Sequence, residues 1–378
     1  MLIAVPKETL AGEDRVALIP DSVKKLIRAG AQVTVETGAG NGSGYDDASY
    51  TDVGANIASD RNALLGEADI VLRLHKPSAE DVAAYKEGAI SISYLDPFNE
   101  RELVDAMAAK KLSAISMEMI PRSTRSQKMD ALSSQANLAG YVMVMKAADA
   151  LDRILPMMMT PAGTLKPARV FIIGAGVAGL QAIATAKRLG AKVTAFDTRD
   201  VVAEQVESLG GKFLEIDLGE TGQTADGYAL QLTPEQMEIQ KQAQKDEIAE
   251  SDIVITTAQL FGRKPPVIVP ADAVAGMKHG SIIVDMAAEN GGNVEGSKPG
   301  ENVVTANGVK IIGTGNWANV VARDASQMYS ANLFNLIDDF WDEDKKAFVV
   351  DFENDVSGCV ITHDGAVVNE TIRGHYGL

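Results

Sequence analysis

The sequence predicts an α/β protein of two doubly wound domains joined by long helices. Three observations predict it. Short apolar runs alternate with amphipathic helical stretches along most of the chain. One β-α-β unit near the middle carries a glycine-rich turn between its first strand and its helix. Two stretches with helical spacing, residues 127–155 and 322–341, are long enough to bridge one part of a molecule to another. At 378 residues and 46% hydrophobic content, the chain can hold about two or three domains.

In the first third, residues 2–5 read as a short strand. Pro20-Asp21-Ser22 opens a helix that runs through Ile27 and halts at Gly30. Residues 32–36 alternate as a strand, and 68–74, 89–93 and 112–116 read as further strands with helices between. This part has no phosphate-binding glycine motif: the glycine-rich residues 38–44 follow a strand without opening a helix and read as a loop. A long helix is expected from Gln127 to Leu155, ended by Pro156. Residues 157–165 then read as a hairpin turning at Pro161-Ala162-Gly163, its three methionines either meeting another protomer or packing on their own core.

The central unit spans residues 168–199. The apolar run 170–173 enters Gly174-Ala175-Gly176-Val177-Ala178-Gly179; a helix follows, Gly190 stops it, and a second apolar run ends at Asp197. This is a dinucleotide-binding fingerprint, and it makes the domain Rossmann-like. Gly174 permits the tight turn, Gly176 lets a pyrophosphate approach the backbone, and Gly179 lets helix and strand pack closely. The helix starting at Val177 offers unpaired N–H groups and a positive dipole end to phosphates. Asp197 is placed to accept both ribose hydroxyls of NAD and to repel the extra phosphate of NADP. Thr198 and Arg199 follow at the same edge, and an arginine there can also hold a 2′-phosphate.

Beyond Asp197, a helix over 202–209 and a strand over 212–216 are expected. Residues 219–232 then break the pattern, being polar and glycine-containing. Thr233-Pro234-Glu235 opens a polar helix through Ile248. Residues 252–256, 281–286 and 309–312 read as buried strands, and the loop starting at Ala258-Gln259 belongs near the ligand because it follows a strand's carboxyl end. The helix 322–341 returns the chain to the first domain, and the tail, turning at His363-Asp364-Gly365-Ala366, reads as a strand pair. The expected domains are therefore residues 1–135 with 323–378, and residues 136–322.

Composition narrows the function. A net charge of -17 argues against nucleic-acid binding and reads first as solubility. The single cysteine, Cys359, excludes an internal disulfide framework and reads as a small buried side chain. No apolar run is long enough to span a bilayer, and no signal peptide is visible. No zinc-type cluster, Walker loop or nucleophile elbow is found in the sequence.

Residues 121–133 form the second informative segment. Gln127, Asp130 and Ser133 are three apart and would share the face of a helix, with Arg122 in the loop before them. An amide, a carboxylate and a hydroxyl so placed suit a carboxamide and a ribose, the polar groups of a nicotinamide nucleoside. The same spacing reads equally as a capped helix start, with Ser126 as N-cap and Asp130 favourable near the dipole. Acid–base candidates are few. Of the four histidines, only His75 ends a strand at its carboxyl edge. Hydride transfer between two nicotinamides needs positioning, since no proton leaves the reacting carbon.

Residues 5–20, 122–141, 174–193 and 204–213 (VPKETLAGEDRVALIP, RSTRSQKMDALSSQANLAGY, GAGVAGLQAIATAKRLGAKV and EQVESLGGKF) together resemble the NAD(H)-binding domain I of the proton-translocating NAD(P) transhydrogenase family, of the stand-alone alpha-1 type. The resemblance covers essentially the whole chain. It implies two Rossmann-like domains with the NAD(H) in a cleft between them. It implies direct hydride transfer from NADH to the oxidised form of NADP(H) on a partner subunit, coupled to proton translocation by membrane-spanning subunits. It implies a homodimer whose hairpin 157–165 is exchanged between protomers, placed peripherally at the cytoplasmic face of the inner membrane. It implies that Arg122, Gln127, Asp130 and Ser133 contact the nicotinamide and its ribose, with Gln127 steering the ring, and that Asp197 binds the adenosine ribose. Residues 219–232, with Gly227 and Tyr228, match a loop that closes over the nucleotide. The related alanine dehydrogenases are the rival. Arg15, which contacts substrate carboxylate in that family, is present, but His75 and Asp96 stand where its catalytic lysine and histidine belong. A non-catalytic NAD(H)-sensing module is a third reading.

Overall fold

The computed structural model describes residues 1–218, 233–259 and 262–378. The expected closing loop, with Gly227 and Tyr228, lies outside the described residues. Two compact units are formed, Met1–Gln135 with Ala318–Leu378, and Ala136–Trp317.

In the first unit, the strands run in the order Ala366–Val367, Val360–His363, Ser113–Ser116, Ile90–Ser93, Ile70–Leu72, Leu2–Val5, Gln32–Glu36 and Asn56–Ala58. All but the first two pair in parallel. Helices cover both faces, so both sides of the pleat are apolar. Ile3, Val5, Leu72, Ile92 and Ile115 pack toward Tyr329, Leu333, Leu336 and Ile337 of the helix Ala322–Asp339. On the opposite face, Ala4, Val71 and Ala114 meet Leu65, Val104 and Met107. The tail forms the expected strand pair, and it joins the edge of this sheet antiparallel to Ser113–Ser116. The Thr362 hydroxyl fastens it, donating to the Leu112 carbonyl at 2.7 Å.

The long helix expected from Gln127 is two elements. Ser126–Met129 forms a 3-10 turn, and the α-helix is Ala131–Ala150. Asp130 breaks between them at φ −70°, ψ 90°. Its carboxylate accepts the Ser133 N–H at 2.9 Å and the Ser133 hydroxyl at 2.6 Å, so Asp130, and not Ser126, caps the helix. Ser126 is buried in its own loop, where its hydroxyl donates to the Pro121 carbonyl.

The second unit's sheet runs Lys212–Phe213, Lys192–Phe196, Arg169–Ile173, Ile253–Thr256, Ile282–Asp285, Lys310–Ile312 and Asn302–Val304. Only the last, an edge strand that the sequence pattern does not announce, is antiparallel. The polar helix Pro234–Glu250 starts with a capping box: the Thr233 hydroxyl accepts the Gln236 N–H, and the Gln236 side chain accepts the Thr233 N–H. Met158–Thr160 and Gly163–Leu165 form the antiparallel hairpin. Met157, Met158, Met159 and Leu165 are exposed on it. Among the described residues, no helix is long and apolar enough to cross a membrane.

Candidate nucleotide-binding site

In the second sheet, Arg169–Ile173 has Lys192–Phe196 on one side and Ile253–Thr256 on the other. The order of the strands reverses here, and open α/β sheets bind ligands outside the carboxyl ends of the strands at such a point. The three glycines of the turn differ in what surrounds them. Gly174 has φ +99°, and a methyl group on it would lie 2.5 Å from the Thr257 hydroxyl. A methyl group on Gly179 would lie 1.8 Å from the Gly174 carbonyl oxygen. At Gly176 no atom of the described residues lies within 4 Å of that position. Two glycines thus serve the protein's own packing, while the third keeps a space open beside the start of the helix Val177–Arg188. Such a cradle suits a pyrophosphate.

Asp197 follows the strand Lys192–Phe196, and its carboxylate is already engaged. One oxygen accepts the Ala175 N–H at 2.8 Å. Arg199 supplies its own N–H at 2.9 Å and two guanidinium contacts at 3.0 Å. Burial pushes the carboxyl up, but the Arg199 and Ala175 hydrogen bonds outweigh it and hold the group below the usual range. These four hydrogen bonds occupy the roughly four acceptor sites that a carboxylate offers. Thr198 beside it is exposed. Gln259 donates its side-chain amide to the Met286 carbonyl at 3.2 Å. Ala258 follows Thr257, whose hydroxyl donates to the Gly174 carbonyl at 3.0 Å. Two residues that sequence reasoning missed, Asp285 and Asn293, are buried behind this edge. Their only sequence signal is a carboxylate ending an apolar run, followed by Gly291-Gly292-Asn293.

In the first unit, Arg122 and Gln127 are exposed, whereas Asp130 and Ser133 are half-buried and bonded to each other. The expectation that Gln127, Asp130 and Ser133 share one helix face is corrected, because Gln127 lies in the preceding 3-10 turn. That turn is pinned from behind. The Lys128 carbonyl accepts the amides of Asn332 and Asn335, both at 3.0 Å, and Arg125 Nε donates to Asp339 at 2.9 Å. The loop backbone is thus fixed while Gln127 projects from it.

Arg15 is buried. Its guanidinium donates to both oxygens of Glu13, at 2.8 and 2.7 Å, and to Gln135 at 2.9 Å. His75 Nε2 lies 2.7 Å from the same Glu13 carboxylate. Burial pushes Glu13 up, but its bonds to Arg15 and His75 prevail and hold it well below the usual carboxylate range. Asp96 has φ +52° and donates its N–H to Glu118, whose carboxyl is pushed up by burial. Cys359 is buried, which pushes its thiol up to about 12. Among the described residues no group of histidine, cysteine and carboxylates is placed to hold a metal ion.

The sheet order and the turn define a two-unit α/β protein whose second unit is Rossmann-like. Comparison with known proteins narrows this. The family models described as alanine dehydrogenase/PNT, N-terminal domain and C-terminal domain match residues 4–139 and 143–370. The first section of the NAD(P) transhydrogenase subunit alpha of Rhodospirillum rubrum is 46% identical over 382 residues, 99% of each chain. A crystal structure of transhydrogenase from Sinorhizobium meliloti is 42% identical, with 97% of this chain and 100% of that chain covered and a TM-score of 0.87. A solved L-alanine dehydrogenase is 25% identical, with a TM-score of 0.83 over 100% of this chain and 99% of that one. The chain belongs to the alanine dehydrogenase/PNT family, among its NAD(P) transhydrogenase alpha subunits.

Proposed function

We propose that the chain is the NAD(H)-binding subunit of a proton-translocating NAD(P) transhydrogenase. The observation that carries the reading is the space kept open at Gly176 between two glycines whose own space is closed by the protein. Bound NADH supplies a hydride, delivered to NADP+ on a partner subunit. Gly174, Gly176, Val177 and Gly179 receive the pyrophosphate, Asp197, Thr198 and Arg199 the adenosine ribose, and Ala258 and Gln259 flank it. Arg122, Gln127, Asp130 and Ser133 bind and orient the nicotinamide and its ribose. This chemistry asks for orientation, and the pinning of the 126–129 turn supports it.

The partners are a second copy of the chain, met through the exposed methionine hairpin, an NADP(H)-binding subunit, and membrane-spanning subunits that couple transfer to proton movement at the cytoplasmic face of the inner membrane. His75 and Asp96, standing where the alanine dehydrogenases have their catalytic lysine and histidine, support this reading over alanine oxidation. His75 is engaged with Glu13.

The deciding experiment mixes the chain with an NADP-binding partner domain, NADH and an NADP analogue of shifted absorbance. Hydride exchange is the expected result, and alanine with NAD+ gives no NADH. Turnover of alanine would overturn the proposal in favour of a dehydrogenase, and NADH binding without exchange would favour a sensor. Gln127→Asn draws the amide back by one methylene. Exchange then falls at least about tenfold, because small misplacements cost rate steeply. NADH affinity by calorimetry stays within about twofold, as expected when ground-state binding is unchanged. A collapse of affinity with an unchanged rate per bound complex would remove the steering role of Gln127.

A further inference from the structure

Asp285 ends the strand Ile282–Asp285 and is fully buried. Its carboxylate accepts the N–H groups of Ala287 at 3.0 Å, Asn293 at 3.1 Å and Val294 at 3.3 Å. The loop wraps it closely: Gly292 has φ +78°, and a methyl group on it would lie 2.8 Å from the carboxylate. This wrapping turns Asn293, also fully buried, inward. The Asn293 amide nitrogen donates to the Ala258 carbonyl at 3.0 Å and to the Pro266 carbonyl at 2.9 Å. Residue 257, one position earlier, braces the fingerprint turn through the Thr257 hydroxyl on the Gly174 carbonyl at 3.0 Å. A continuous run of hydrogen bonds and one peptide unit thus joins Asp285 to the first glycine of the turn.

We infer that Asn293, oriented by Asp285, is a positioning residue for the nucleotide site, acting through Ala258 and Thr257 on the Gly174 turn. The inference rests on the nucleotide reading proposed above. Truncating Asn293 leaves two backbone carbonyls without their donor and frees the 257–258 segment, while all the residues assigned to the nucleotide remain.

The test titrates NADH into the full-length chain and into Asn293→Ala, Thr257→Val and the double variant, with thermal melting alongside. Each single variant raises the NADH Kd by about tenfold, the loss of one to two hydrogen bonds. Exchange with the partner domain at saturating NADH is unchanged, so KM moves and kcat does not. The double variant is no weaker than the weaker single one, since both cut the same run. A lowered melting temperature with unchanged Kd would show a structural role only and overturn the inference, and so would additive effects in the double variant. If Asn293→Ala does not fold, Thr257→Val decides, because an unchanged Kd there overturns the inference. If the unsubstituted chain binds NADH and the variants match it, this inference alone fails. If the unsubstituted chain binds no NADH, the nucleotide reading fails first.

Discussion

Gly179→Ala destabilises the second unit by at least about 3 kcal/mol, at the upper end of what overpacking costs. The new methyl group would sit 1.8 Å from the Gly174 carbonyl oxygen, which is backbone and has no rotamer to yield. Either the helix Val177–Arg188 lifts off the strand or the turn opens. Gly176→Ala gives the opposite pairing of effects. No described residue meets the added group, so stability changes by less than about 1 kcal/mol, as at other uncrowded helix caps. NADH affinity falls about a hundredfold or more, the expected result of blocking the approach of a phosphate to the helix N-terminus. Thermal melting and calorimetry on the two variants separate the effects. Tight NADH binding by Gly176→Ala would show that the open space is not the path of the pyrophosphate.

Asp197→Ala weakens NADH binding by about a hundredfold, since two hydrogen bonds to a charged group are lost. NADPH is affected less, because Arg199 loses its carboxylate partner and becomes available to a 2′-phosphate. The NADH-to-NADPH affinity ratio therefore collapses, and equal losses for both nucleotides would overturn the assignment. The substitution also carries a pH signature. The folded-state pKa of Asp197 lies below its ordinary value. Its contribution to stability is complete above the unfolded value of about 3.9. It is lost as pH falls through the lower, folded value. The stability gap between wild type and Asp197→Ala should thus be flat near neutrality and shrink only in acid, as chemical denaturation over pH would show.

Local chemistry decided what the sequence revealed. The turn from Gly174 to Gly179 was legible because Gly174 takes a positive φ of 99° and Gly179 packs on the Gly174 carbonyl, both requirements set within the turn itself. The expected helix stop at Gly190 likewise matches a positive φ of 84°. Non-local pairings were not legible. Val360–His363 reads as a strand from its residues, but nothing in them names Ser113–Ser116 as its neighbour. The start of the helix at Ala131 was misplaced because Asp130 favours a cap over helix continuation, and periodicity alone does not separate the two. The Asp197–Arg199 pairing was missed because a rotamer, and not a spacing, creates it. Asn293 was invisible for a similar reason, since its two carbonyl partners lie far from it in sequence.

The chain leaves the first unit after Gln135 and returns to it only at Ala318. A ribosome therefore delivers all of Ala136–Trp317 before Tyr329, Leu333 and Ile337 exist to cover Ile3, Val5 and Leu72. Translation inverts the usual order in which N-terminal domains mature first: the interior unit is finished while the opening segment still shows its apolar strands to solvent. Nascent chains of this protein should consequently depend on holding chaperones until the final helices emerge.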